Sequence, residues 1–176
     1  MKIVDLSLSL YDGMPVYPGD PEVEIKQVHT LAKQGWNLLT LFLNTHLGIH
    51  VNVPSHMLEN GENLDNLLLD NFCGPAIVYV GTNSVKSRPG IIFRDQNIDE
   101  QIARLLIKTK PRFVGLSAKY EFEIKIEKEL LEAGIISYEN LVNTEKLPSD
   151  KQFMFYGFPM KIKDGDGSPV RAVAII

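Results

Sequence analysis

Three of the chain's four histidines, His46, His50 and His56, fall within eleven residues, in the run Asn44-Thr45-His46-Leu47-Gly48-Ile49-His50-Val51-Asn52-Val53-Pro54-Ser55-His56. Neutral imidazole binds divalent metals and exchanges a proton near pH 7, so such a cluster points to a metal centre with an acid–base group beside it. The polar residues 44, 46, 50 and 52 are even-numbered, whereas Leu47, Ile49, Val51 and Val53 are odd. On a β-strand that alternation sends the two sets to opposite faces. The β-branched residues and Pro54 disfavour a helix, so His46 and His50 are not read as the helical zinc pair of metalloproteases. His50 and Asn52 are neighbours on one strand face, about 6.6 Å apart, close enough for both side chains to reach one ion. His46 on a straight strand lies about 13 Å from His50, too far for ligand distances of about 2 Å. The chain must bend between them, and Gly48 permits a bulge or kink. His56, beyond Pro54, sits where a loop can return it over the same face as a base. A single histidine on a half-buried strand is commonly a satisfied polar residue, but three in phase with a glycine at the bend favour a site.

The elements that must hold this run follow from pattern. A first strand is expected within residues 2–10, then a rigid proline-rich turn region through Pro15, Pro18 and Pro21, and a second strand over 22–28. A third is expected to run from about residue 38 through the histidines, closed by the polar turn 59–63. Residues 74–80 read as a buried strand, 97–108 as a helix stopped before Pro111, and 113–116 as another buried strand. A second helix is expected over 122–133, capped by Gly134, and the last strands over 152–158 and 170–176. The Asp164-Gly165-Asp166-Gly167 turn between them lacks the further ligands of an EF-hand calcium loop.

The 176 residues suit one domain, 1–176, able to bury about 70% of its unfolded surface. A net charge of −4 and a pI near 5.6 give no footprint for nucleic acid or an anionic membrane, and the basic residues Lys108, Lys110 and Arg112 read as a solvated helix end. The lone Cys73 excludes an internal disulfide and a thiolate metal site, fits a reducing compartment, and reads as a packed small residue. No apolar run reaches the ~18 residues that span a bilayer, and no secretory leader pattern opens the chain, so a cytoplasmic location is expected.

The residues resemble the cyclase-like metal-dependent hydrolases that include bacterial kynurenine formamidase and isatin hydrolase. The resemblance rests on Asp5-Leu6-Ser7, Met14-Pro15-Val16-Tyr17-Pro18-Gly19-Asp20-Pro21, the histidine run, Leu130-Leu131-Glu132-Ala133-Gly134-Ile135 leading to Glu139-Asn140-Leu141, and Asp166-Gly167-Ser168-Pro169-Val170-Arg171-Ala172. The family's hallmark is His-x-Gly-Thr-His-x-Asp-x-Pro-x-His. His46, Gly48, His50, Pro54 and His56 match it, while Ile49 stands for the threonine and Asn52 for the metal-binding aspartate. Downstream, Glu139 aligns with the family's metal-binding glutamate, and Glu127 stands where a further histidine ligand is usual. Helix spacing puts Glu127 on a face with Ile124 and Leu131, pointing inward, but Lys125, Lys128 and Glu129 around it equally suit an exposed glutamate.

The resemblance implies an α/β fold, a mixed β core with flanking helices of the cyclase, swivelling β/α/β type. It implies a divalent metal ion, zinc or manganese, on His46, His50, Asn52, Glu127 and Glu139. The family ligand set and this one both sum to −2, so the site reads as altered rather than lost, shifted toward oxygen donors and harder ions. Asn52 offers one neutral carbonyl oxygen, so one ion is expected rather than two. The implied reaction is hydrolysis of a small-molecule amide or lactam carbonyl by water activated on the ion, with His56 shuttling the proton to the leaving nitrogen. Tyr17 and Trp36 are candidates for a substrate-pocket wall. His29 is unassigned. A homodimer or higher homo-oligomer, with neighbouring chains helping to form the pocket, is implied. The short span between Gly81 and Pro111, and Ser117-Ala118-Lys119-Tyr120 in place of an aspartate-containing turn, leave the substrate open. The rival reading is a small-molecule binding protein that keeps the fold without turnover.

Overall fold

The computed structural model describes residues 1–81 and 89–176. In chain order its strands are β1 (Ile3–Asp5), β2 (Glu24–His29), β3 (Leu38–Phe42), β4 (His50–Asn52), β5 (Cys73–Val78), β6 (Gly90–Phe93), β7 (Phe113–Ser117), β8 (Ile136–Leu141), β9 (Phe153–Tyr156), β10 (Gly167–Pro169) and β11 (Val173–Ile175). The helices are α1 (Leu31–Gln34), α2 (Glu100–Thr109) and α3 (Ile124–Glu132). Among the described residues, nine strands form one mixed sheet in the order β1-β11-β9-β5-β6-β7-β8-β4-β10, and β2 pairs with β3 apart from it. This is the α/β architecture expected of the resemblance.

Strands β5 to β8 are parallel, and α2 and α3 carry the chain from β6 to β7 and from β7 to β8. Every residue of β6 and β7 is buried, as expected of apolar strands covered on both faces. Alternation divides their side chains. Ile92, Phe113, Ile136, Tyr138 and Phe155 pack into one core with Val51, whereas Ile91, Phe93, Val114 and Leu116 pack with Ile102 and Leu106 of α2 and Ile126 and Leu130 of α3. Gly115 lets Ile92 and Leu141 close over β7, because a Cβ there would come within 2.7 Å of a methyl carbon of each.

Helix α2 starts on Asp99, whose carboxylate accepts the Ile102 amide at 2.8 Å. Gly134 follows α3 at φ +76°, and Ile135 N–H donates back to Leu130 O at 3.0 Å, the left-handed ending expected of that glycine. The buried stripe of α3 is Ile126, Glu127, Leu130 and Leu131. Ile124, expected to share it, is exposed because it occupies the first turn, ahead of the contact with the sheet.

The third strand differs from expectation. It is divided into β3, in the separate hairpin, and β4, in the main sheet, with residues 43–49 irregular between them. An unbroken strand cannot serve both sheets, and Gly48 at φ +58° turns the chain from one to the other. Strands β6 and β8 carry no clear pattern of their own. Each is a short apolar or mixed stretch beside stronger turn and helix signals, and the parallel sheet forms them. Part of the short span between Gly81 and Pro111, residues 82–88, lies outside the described residues.

Candidate metal centre

Strand register assembles the centre. In the antiparallel pair β4–β8, His50 lies opposite Glu139 and Asn52 opposite Ser137. Val51 and Tyr138 point into the first core, so His50, Asn52, Ser137 and Glu139 all face the helix side of the sheet. Helix α3 crosses there and delivers Glu127, only 4% exposed, into the same place. The open choice between an inward and a surface glutamate is thus decided in favour of the interior, because Glu127 lies on the buried stripe of α3 and bonds Asn52 and Ser137 of the sheet.

A polar network joins these groups. The Asn52 amide nitrogen donates to Glu127 Oε1 and to Glu139 Oε1, each at 2.6 Å. Ser137 Oγ donates to the same Glu127 oxygen at 2.6 Å. With its NH2 group committed to two carboxylates, Asn52 turns Oδ1 toward His46 Nδ1, 2.8 Å away. His50 Nδ1 donates to Gly48 O at 2.9 Å, which leaves Nε2 facing Glu139 Oε1 at 3.4 Å. The bend at Gly48 therefore does more than permit a turn, since its carbonyl orients His50 and also accepts from Asn140 Nδ2 at 3.1 Å.

His46 itself sits in the irregular segment, not on the strand. Its other nitrogen, Nε2, donates to Asp166 Oδ2 at 2.8 Å. His56, on the short 3-10 turn Pro54–His56, has Nδ1 3.5 Å from that same oxygen, and its ring lies 3.9 Å from the His46 ring. His56 thus returns over the cluster as expected. Asp166, Thr45 and Ser137 join the site without having been singled out by sequence pattern. The glycine-rich turn holding Asp166 is conspicuous but matches no complete ligand spacing, and Ser137 becomes visible only through the β4–β8 register.

Burial sets the charges. It pushes the Glu127 carboxyl above its usual range, helped by the neighbouring Glu139 charge and opposed by the bonds from Ser137 and Asn52. Burial acts likewise on Glu139, but the hydrogen bond and charge of His50 outweigh it and hold Glu139 below the usual range. Of the two, Glu127 keeps a proton more readily. His50 is raised despite its burial, through Glu139 and the Gly48 carbonyl. Burial, and then the charge of His46, lower His56. Asp166, which partial burial would raise, is held at about 2 by its bonds from His46 and Thr45.

The His46 and His50 rings approach the separation of two imidazoles on one divalent ion. Two imidazoles bound tetrahedrally to one ion at about 2.1 Å hold their ring centroids about 5 Å apart. The His46 and His50 rings stand 5.4 Å apart, edge to face, with Asn52 Oδ1 beside the first and Glu139 beside the second. The adjacent position, between Glu127 and Glu139, is spanned by the Asn52 NH2 group. Among the described residues, the His, Asp and Glu ligand atoms that all lie within 4.8 Å of one another are those of His46, His56 and Asp166, a group that shares His46 with the pair above.

Tyr17 and Trp36 are not drawn into this cluster. They are 71% and 56% exposed, and Trp36 lies edge-on to His29, with ring centroids 5.4 Å apart. Among the described residues no helix is long and apolar enough to cross a membrane.

Residues 4–118 match the family model described as "Putative cyclase". The chain is 29% identical to the kynurenine formamidase of Salinibacter ruber, over 98% of this chain and 97% of that protein. Its fold superposes on an isatin hydrolase bound to the product analogue thioisatinate with a TM-score of 0.81, at 18% identity, over 99% of this chain and 92% of that one. A potential metal-dependent hydrolase with cyclase activity superposes with a TM-score of 0.77 at 22% identity, covering 98% and 96% of the two chains.

Proposed function

This chain is an enzyme of the cyclase family, and we propose that it is a metal-dependent hydrolase of small amide or lactam carbonyls. The observation that carries the reading is the pair His46 and His50 with ring centroids 5.4 Å apart, and the His56 ring 3.9 Å from that of His46. Likeness to a kynurenine formamidase over nearly the whole of both chains supports an aryl formamide or a related cyclic amide as the substrate class.

In this proposal His46, His50, Asn52 through Oδ1, and Glu139 hold the ion, zinc or manganese. A divalent ion there supplies Lewis acidity, lowering the pKa of water and polarising a carbonyl. His56 takes the proton from the attacking water and returns it to the leaving nitrogen, a role its lowered pKa suits because the ring is neutral and ready to accept near pH 7. Glu127 acts through Asn52 and Ser137, locking the amide so that its oxygen, not its nitrogen, faces His46. The Asn52 NH2 group between Glu127 and Glu139 supports a site that would hold one ion rather than two.

We also propose that the protein is a homodimer. Val28, Leu31, Trp36, Leu38, Leu39, Leu41 and Phe42 leave the β2–β3 hairpin apolar and exposed on both faces. A two-stranded ribbon is marginal alone, and a second copy covers it. Trp36, and Tyr17 from the proline-rich turn, then serve as aromatic walls of a pocket shared between chains.

The test is hydrolysis of formylkynurenine and isatin by the full chain supplied with zinc or manganese. Turnover that chelation removes and His56→Ala abolishes supports the reading. Binding of the same compounds without turnover, under either metal, favours the binding protein instead.

A further inference from the structure

We infer that Asp166 is a positioning residue of the centre, a single carboxylate that fixes the orientation of both His46 and His56. The inference rests on the proposed metal-dependent reading and adds to it a residue from a distant part of the chain. Its Oδ2 accepts from His46 Nε2 at 2.8 Å and faces His56 Nδ1 at 3.5 Å, while its Oδ1 accepts from Thr45 Oγ1 at 2.9 Å. Both carboxylate oxygens are thereby committed. A carboxylate can only accept from His46, so it holds the hydrogen on Nε2 and leaves Nδ1 as the nitrogen turned toward Asn52 and the ion position.

The backbone around Asp166 is built for this placement. Val53 N–H donates to Asp166 O at 3.2 Å and Leu64 N–H to Gly165 O at 2.8 Å, tying the turn to the end of β4 and to the following loop. Strand β10 pairs with β4 so that Gly167 lies opposite Asn52, on the face that carries the centre. A Cβ on Gly167 would come within 2.7 Å of both His46 Cε1 and Val51 O. The His46 ring therefore occupies the space a side chain at 167 would take, and the Asp166-Gly167 pair acts as a seat for that ring.

An alternative is that Asp166 itself binds the cation together with His46 and His56, whose ligand atoms are close enough. Ring geometry disfavours it. The two ring centroids lie 3.9 Å apart with their planes tilted by 37°, closer than the about 5 Å of two imidazoles sharing an ion.

Titration calorimetry of the full chain with manganese(II) alone tests this. Asp166→Ala is expected to weaken binding about 10- to 100-fold, the usual loss when the carboxylate behind a ligating histidine is removed. Asp166→Asn, whose carbonyl still accepts from Nε2, should recover most of it, and Asp164→Asn in the same turn should match the unmodified chain. Binding by Asp166→Ala equal to that of the unmodified chain overturns the inference, and so does complete loss in both Asp166 variants, which would make Asp166 a ligand. If the unmodified chain binds no manganese, the metal-dependent reading fails by itself. The positioning role is then read from imidazole nitrogen NMR, where an Nε2–H on His46 that is lost in Asp166→Ala supports it, and an unchanged ring contradicts it.

Discussion

At the residue scale Asn52 is central, because its NH2 group satisfies two buried carboxylates while its oxygen faces His46 Nδ1. Replacing it with alanine leaves Glu127 and Glu139 without those donors. An unsatisfied buried group costs about 1–3 kcal/mol, so Asn52→Ala should lower unfolding free energy by roughly that amount or more in urea titrations. Asp166 offers a test by pH. Its folded pKa of about 2 lies below the ordinary aspartate value of 3.8, so its bonds stabilise the fold fully above that ordinary value and are lost as pH falls through about 2. Acid unfolding followed by circular dichroism should therefore show a shallower loss of stability across that acid range in Asp166→Asn than in the unmodified chain. Much of this scale is legible in the sequence. His46, Gly48, His50, Asn52 and His56 carry a recognisable spacing, and Glu139 follows from the resemblance. Asp166 is not, because 120 residues separate it from His46 and only the pairing of β10 with β4 brings them together.

At the element scale, register is what converts spacing into a site. The alternation of polar and apolar residues around His50 correctly gives the facing of His50 and Asn52 in β4, but it overextends the strand to His46, which reaches the centre from the bend instead. Pattern alone could not separate one long strand from two short ones in different sheets, since β3 and β4 are both apolar-rich and the break rests on Gly48. Helix α3 lies close to its expected span because its apolar stripe and its terminating glycine, Gly134, agree, while β6 and β8 depend on neighbours far away in sequence. Seating at the element level can be probed through Gly167→Ala, which sets a Cβ against His46 and the Val51 carbonyl. Overpacking of this kind costs about 1–3 kcal/mol, and relief by moving His46 should weaken manganese binding as well. A lowered urea midpoint together with reduced metal affinity is the expected pair of results.

At the scale of the whole molecule, the main sheet buries its own core on both faces, while the β2–β3 hairpin stands apart with apolar side chains outward. Sedimentation equilibrium should give a dimer, and Leu41→Asp with Phe42→Asp should shift it to monomer while leaving the β4–β8 site folded. The shared pocket then predicts that the monomeric variant retains its metal but loses affinity for aromatic substrates, read as a raised KM. The division between a sheet that carries the histidine cluster and a hairpin left apolar and exposed is not visible from sequence, because alternation looks the same in an inner strand and in an exposed ribbon. The claim on which all of this depends is that a divalent ion is held by His46 and His50 together. Elemental analysis of the chain purified without chelator, beside His50→Ala prepared identically, tests it most directly. The account predicts one zinc or manganese per unmodified chain and essentially none in the variant; equal metal content in the two, or none in either after supplying both ions, contradicts it.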